Sequence, residues 1–135
     1  MFLESPQIWV LCGPTGVGKT EFSINLALKL GAEIICLDAF QVYRDIPILS
    51  ACPSQEEYSA VAHHLYEIIE PDRNFSIAEY YDLAVNKIID CWRRQVTPLL
   101  VGGTGLYLKV LYDGFEQRGF EQNPKLREDL QPLRS

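Results

Sequence analysis

Short apolar runs alternate with stretches of helical periodicity from Gln7 onward. Gln7 to Cys12 is almost wholly apolar and too short for a helix, which predicts a buried strand. From Thr20 to Leu30 the apolar residues Phe22, Ile24, Leu26, Ala27 and Leu30 follow a helical pattern, and Gly31 ends it. Glu33 to Leu37 predicts a second short strand, closing at Asp38. Ser54 and Glu57, just after Pro53, form a capping-box signature for a short helix to about Val61. Leu65 to Ile69 reads as a third strand. A second box, Ser76 with Glu79, opens the longest helix, to about Arg94, with Ile77, Tyr80, Leu83, Ala84, Ile88 and Trp92 as its apolar stripe. Leu99 to Val101 is a further strand, followed by Gly102-Gly103-Thr104-Gly105 and a helix from about Leu106 to Tyr112. Asn123 to Ser135 reads as polar and partly helical.

Strands alternating with helices over short turns predict a parallel sheet covered by helices, an α/β fold. Ligands of such sheets bind beyond the carboxyl ends of the strands. The glycine-rich segment after the first strand, Asp38 after the second, and Gly102 to Gly105 after a later one all fall at such ends. They are expected to converge on one crevice. The core is expected over residues 1–113, with 114–135 a polar, partly helical tail.

With 135 residues, 47% apolar and 22% charged, the chain is expected to fold as one domain with a real core. No apolar run approaches the ~20 residues of a membrane span, and Met1 to Pro6 lacks the features of a secretory signal, so a cytoplasmic location is expected. Cys12, Cys36, Cys52 and Cys91 are widely spaced without a C-x-x-C pair. They read as small core residues in a reducing compartment, Cys12 and Cys36 within buried strands, not as metal ligands. The net charge of −6 offers no basic footprint for a nucleic acid.

Gly13-Pro14-Thr15-Gly16-Val17-Gly18-Lys19-Thr20 is a complete phosphate-binding loop in its strand–loop–helix context. Its glycines permit close backbone approach, and the helix that follows turns its free N–H groups and dipole toward an anion. Lys19 adds a positive charge for a di- or triphosphate, and the Thr20 hydroxyl is placed to ligate Mg²⁺. The loop alone does not name a reaction, because ATP-binding kinases, hydrolases and other transferases share it.

Three further segments follow in order: Leu37-Asp38-Ala39-Phe40-Gln41-Val42-Tyr43-Arg44, His63-His64-Leu65, and Val101-Gly102-Gly103-Thr104-Gly105-Leu106-Tyr107-Leu108. With the loop they resemble the tRNA dimethylallyltransferases, also called tRNA isopentenyltransferases, from about Ile8 to Arg127. The combination of D-x-x-Q-V-Y-R with G-G-T-G-L-Y is the specific part. The resemblance implies a P-loop NTPase-like parallel sheet whose loop holds the diphosphate of dimethylallyl diphosphate, with Lys19, Thr20 and Mg²⁺ as its partners. It implies that Asp38 takes a proton from the exocyclic amine of an adenosine beside the tRNA anticodon, and that this nitrogen attacks the allylic carbon. It further implies tRNA contacts at Asp38, Ala39, Phe40, Gln41 and Thr104, and at Arg127 with the spacing one residue longer.

The chain departs from the family pattern at Ala39, where serine is usual, and at Cys52, where the family's G-T-A-K-P has lysine. Family members are roughly twice as long, about two ordinary domain lengths, so the chain is expected to be a truncated half served by a missing segment or a partner chain. Three other readings stay open: a small-molecule P-loop kinase, an adenylate isopentenyltransferase, and a remnant without catalysis. Individual residues also have plainer roles. Asp38 can cap a turn, Gln41 can bond loop backbone, and Thr104 can cap a helix. His63 and His64 are expected to order a strand start, Tyr43 and Tyr107 to pack, and Arg44 to be solvated.

Overall fold

A computed structural model describes residues 7–13, 19–45 and 52–117, with backbone alone for 115–117. The strands are β1 (Trp9–Cys12), β2 (Ala32–Cys36), β3 (His63–His64) and β4 (Thr97–Gly102). The helices are α1 (Lys19–Leu30), α2 (Gln55–Ala60), α3 (Ile77–Arg93) and α4 (Gly105–Gln117). One parallel sheet results, in the order β1-β4-β2-β3, as the alternation of elements predicts. No helix among the described residues is long and apolar enough to cross a membrane.

The near-continuous apolar runs of β2 and β4 follow from burial on both faces, whereas β1, at the sheet edge, keeps Trp9 and Cys12 exposed. On β2, Ile34 points to the α1 side and Ile35 to the side of α3 and α4. On β4, Leu99 and Val101 join the first group and Leu100 the second. Tyr80 of α3 is fully buried, stacks on Tyr107 of α4 with centroids 3.9 Å apart, and donates its hydroxyl to the Cys36 carbonyl at 2.8 Å. Trp92 donates its indole N–H to the Gln7 carbonyl at 3.0 Å, tying the end of α3 to the approach to β1.

Both capping boxes form. Ser54 Oγ accepts from Glu57 N and Ser76 Oγ from Glu79 N, while each glutamate accepts from its cap N–H. Ser76→Ala should therefore cost about 1 kcal/mol in denaturant unfolding; an unchanged midpoint would remove the cap from the account of α3. Gly31 adopts φ +63°, the left-handed turn that stops α1.

Several expectations need correction. Residues 65–69 are not a strand, because Leu65 and Glu67 take φ +70° and +53°, which breaks extended pairing. The segment instead docks on the turn after β2 through Glu67 N to Gln41 O, Ile68 N to Val42 O and a Tyr43–Ile69 bridge. The strand in this region is the histidine pair. In α3 the buried stripe includes Tyr81 and Val85, while Leu83 is 38% exposed. In α1 Phe22 is 59% exposed and Ser23 lies in the buried stripe. Cys12 is exposed at the strand end, whereas Cys36 is buried as expected. Helix α4 continues past Tyr112 to Gln117, and Asn123 to Ser135 lies outside the described residues.

An ion network closes the amino end of β2. Arg94 donates to both carboxylate oxygens of Glu33 at 2.8 and 2.9 Å, and His64 Nε2 donates to Glu33 Oε1 at 2.7 Å. Arg94 also pairs with Asp90 at 2.9 Å. The Arg94 guanidinium holds the Glu33 carboxyl down to about 2. Because the folded value lies below the ordinary one, this stability is present above the unfolded value of 4.5 and is lost as pH falls toward 2. Since Arg94 is half exposed, we expect on the order of 1 kcal/mol. Glu33→Gln should flatten the acid limb of the unfolding curve between those pH values; a limb identical to the parent's would exclude Glu33 as its source.

Candidate functional site

The site begins with the order of the strands. Because β1, β4 and β2 are parallel neighbours, Gly13, Gly102-Gly103 and Leu37-Asp38 follow one another along the same rim. Gly13 N donates to Gly102 O at 3.2 Å, Leu37 N to Val101 O at 2.8 Å, and Thr104 N to Leu37 O at 3.1 Å. This approach has no room for side chains. A Cβ on Gly102 would stand 2.1 Å from the Leu37 oxygen, and one on Gly103 would stand 2.9 Å from the Gly13 oxygen. The paired glycines are therefore a packing requirement that lets β4 end between its neighbours.

Lys19 opens α1, and its ammonium folds back to donate to the Gly13 carbonyl. The same nitrogen is 3.7 Å from where a Gly103 Cβ would lie, so a positive charge stands where β1 and β4 meet. Thr20 follows in the first turn of the helix, its carbonyl accepting from Ser23 Oγ at 2.7 Å. Pro14, Thr15, Gly16, Val17 and Gly18, the rest of the predicted loop, and Arg127 lie outside the described residues.

Asp38 sits where β2 runs into a turn, and its Oδ1 accepts from Phe40 N at 2.8 Å and Gln41 N at 3.2 Å. The plainer capping role is thus real, yet a carboxylate has about four acceptor positions and keeps capacity for another donor. Thr104 does not cap α4 with its side chain. Its Oγ1 instead accepts from Ala39 N at 2.9 Å, across 65 positions of sequence, and its carbonyl receives the first α4 amides. The Thr104 hydroxyl proton remains for a second partner.

Other supports had no signature in spacing. Cys36 Sγ donates to Asp38 O at 3.5 Å and Cys52 Sγ to Gln41 O at 3.7 Å, so both cysteines brace the turn. Burial pushes the Cys36 thiol up and keeps it protonated. Glu67 N, Ile68 N and Ile69 N hold the far side through Gln41 O and Val42 O. Tyr43 packs as expected, its hydroxyl accepting from Phe75 N at 3.3 Å, and Tyr107 is buried, its phenol pushed up to about 12. Arg44 is exposed at the surface as expected, where it binds Glu67 O at 3.0 Å and pairs with Glu70 at 3.2 Å. His63 and His64 form β3 itself, with His63 Nδ1 on Val61 O at 2.7 Å.

The rim therefore combines a cation and a helix N-terminus at one end with a carboxylate on a braced turn at the other. Such an arrangement can hold an anionic leaving group while accepting a proton from a nucleophile. Among the described residues no group of three or more His, Cys, Asp or Glu is clustered to hold a metal ion.

Comparison with known proteins identifies relatives of the chain and of its fold. The sequence model of a family described as "IPP transferase" matches residues 41–135. A tRNA dimethylallyltransferase of Halothermothrix orenii is 40% identical over 131 residues, covering 97% of this chain and 40% of the relative. One from Bacillus licheniformis is 49% identical over 109 residues, covering 80% of this chain and 35% of the relative. Among solved structures, the full-length tRNA isopentenylpyrophosphate transferase of Bacillus halodurans superposes with a TM-score of 0.76 at 42% identity, covering 81% of this chain and 36% of that one. A eukaryotic dimethylallyltransferase acting on tRNA superposes with a TM-score of 0.74 at 36% identity, covering 79% and 27% of the two chains. The chain thus spans about 40% or less of the length of these proteins.

Proposed function

The chain belongs to the IPP transferase family, and from that membership we propose that it carries the donor-diphosphate and acceptor-base side of a tRNA dimethylallyltransferase. The P-loop-like fold is that of its solved relatives. The observation that carries the reading is the placement of the Lys19 ammonium and the Asp38 turn on one rim, on either side of Gly103.

In this reading Lys19 and the loop Gly13 to Thr20 bind the diphosphate of dimethylallyl diphosphate, through N–H groups other than that of Gly13, which is held by Gly102 O, and Pro14, which has none. Mg²⁺ suits the donor set, because it is held mainly by phosphate oxygens and water with one or two protein oxygens, here the Thr20 hydroxyl, and needs no all-protein cage. When bound, it supplies charge neutralisation for the departing diphosphate. Asp38 accepts a proton from the exocyclic amine of adenosine as the nitrogen–carbon bond forms and the allylic carbon–oxygen bond breaks. Thr104 fixes the Ala39 amide and with it the orientation of that carboxylate. Gln41 and Arg127 contribute contacts to the tRNA.

Calorimetric titration with dimethylallyl diphosphate and, separately, ATP, both with Mg²⁺, tests the donor. Preference for the prenyl donor is expected; preference for ATP would sink the transferase reading in favour of a kinase. Lys19→Ala should weaken donor binding by about 100-fold or more, since a charge-assisted contact to phosphate is lost. Unchanged affinity would dismiss Lys19 as the diphosphate ligand. Competition between AMP and an anticodon stem-loop for the acceptor position separates a tRNA enzyme from one acting on free nucleotides.

A further inference from the structure

Leu65 and Glu67 hold left-handed backbone, φ +70° and +53°, although neither is glycine. Such residues persist only where their surroundings over-determine them, and they gather where geometry matters to function. Glu67 is held from three directions. Its N–H donates to Gln41 O at 2.9 Å, its carbonyl accepts from Arg44 Nε at 3.0 Å, and its Oε2 accepts from the Tyr58 hydroxyl at 2.6 Å. Tyr58 is fixed in turn, with His63 and Tyr66 edge-on to its ring at centroid distances of 5.3 and 6.4 Å. Burial, with the Glu67 carboxylate beside it, pushes the Tyr58 phenol up, so it stays a donor across the neutral range.

These contacts form one line from α2 to the site. Tyr58 on α2 fixes the Glu67 carboxylate, and the Glu67 N–H fixes the Gln41 carbonyl. The Gln41 N–H, with that of Phe40, then fixes Asp38 Oδ1. The two left-handed residues take the chain out of the line of β3 and onto this turn. Resting on the reading of Asp38 as the proton acceptor, we propose that Glu67, latched by Tyr58, is a positioning residue for the Asp38 carboxylate. Its role runs through Gln41: it sets where the turn holds the carboxylate when an amine arrives. A general base works from a defined place, and a misplacement of about 1 Å can cost roughly 100-fold in rate.

The test reads amide hydrogen exchange residue by residue, by NMR on the full chain. Tyr58→Phe removes the latch and keeps the ring. The Glu67, Gln41 and Phe40 amides should then exchange about tenfold faster, the loss of one hydrogen bond to a carboxylate. The Leu37 amide, held by Val101 O at 2.8 Å, should not change. Glu67→Gln keeps an acceptor for Tyr58 and should exchange as the parent does. Glu67→Gly suits the positive φ, so the unfolding midpoint should hold, yet the same amides should exchange faster. Parent-like protection in the phenylalanine and glycine variants would overturn the positioning role. Equal acceleration at Leu37 would overturn it as well, since that marks a general loss of stability. Prenyl transfer to an anticodon stem-loop separates this role from the reading it rests on. Tyr58→Phe should lower kcat about tenfold with dimethylallyl diphosphate affinity unchanged. An unchanged kcat beside faster exchange would overturn the role in the reaction. A parent that binds the donor and transfers nothing, with the expected exchange pattern, would sink the acceptor reading and leave the latch standing.

Discussion

Replacing Asp38 by asparagine is expected to stop the proposed prenyl transfer while leaving the turn and the donor site in place. Asparagine keeps the Oδ1 acceptor that holds the Phe40 and Gln41 amides, so the local fold has no reason to change. It loses the capacity to take a proton. An aromatic amine is a poor nucleophile whose developing positive charge needs a nearby carboxylate, and general-base catalysis contributes roughly 10²–10⁴-fold. Transfer should fall by that factor, with dimethylallyl diphosphate affinity within twofold of the parent. Asp38→Ala should add a structural cost of about 1–2 kcal/mol, since two amides lose their partner. Retained turnover in the asparagine variant would make Asp38 a turn cap and nothing more. Lost donor binding would instead attach it to the metal or the diphosphate.

The largest stability effect is expected at Gly102. Its hypothetical Cβ lies 2.1 Å from the Leu37 oxygen and 2.3 Å from the Leu37 carbonyl carbon, both backbone atoms that cannot swing aside. Gly102→Ala must therefore push β4 away from the end of β2. That strains the Leu37–Val101 and Thr104–Leu37 hydrogen bonds that set the rim. Overpacking against backbone should cost about 3 kcal/mol or more, a fall of roughly 10–15 °C in Tm. Gly105→Ala is the internal comparison: its Cβ meets nothing within 4 Å, and it opens α4. That variant should be neutral or slightly more stable. A Gly102 variant melting within a few degrees of the parent would show that the strand ends are not held as described.

Elements governed by neighbours in sequence were legible. The two serine–glutamate boxes, the glycine after α1 and the apolar strands needed only local chemistry, and they lie within a residue or two of their expected places. The segment 65–69 was misread because a short, mostly apolar run also suits a loop docked on another loop, with left-handed Leu65 and Glu67 invisible to periodicity. Phe22 and Leu83 have the right spacing for burial but no opposing layer among the described residues, so they stay exposed. The phosphate-loop lysine and Asp38 were identified as residues of interest by motif. The thiol braces and the Thr104–Ala39 hydrogen bond could not have been, since no spacing rule links them.

By itself the sequence determined the alternating parallel architecture, the phosphate-loop signature and the residues that carry the family pattern. These rest on local propensity, period and turn chemistry, which act over a few positions. Only the tertiary structure decided that β4 lies between β1 and β2, which brings Gly103 to Lys19 and Thr104 to Ala39. It alone decided that Asp38 stands on a braced turn with Phe40 facing solvent. The reason is physical: strand order and carbonyl-to-amide fit are set by packing between distant segments, whose energies do not register in any short window of sequence.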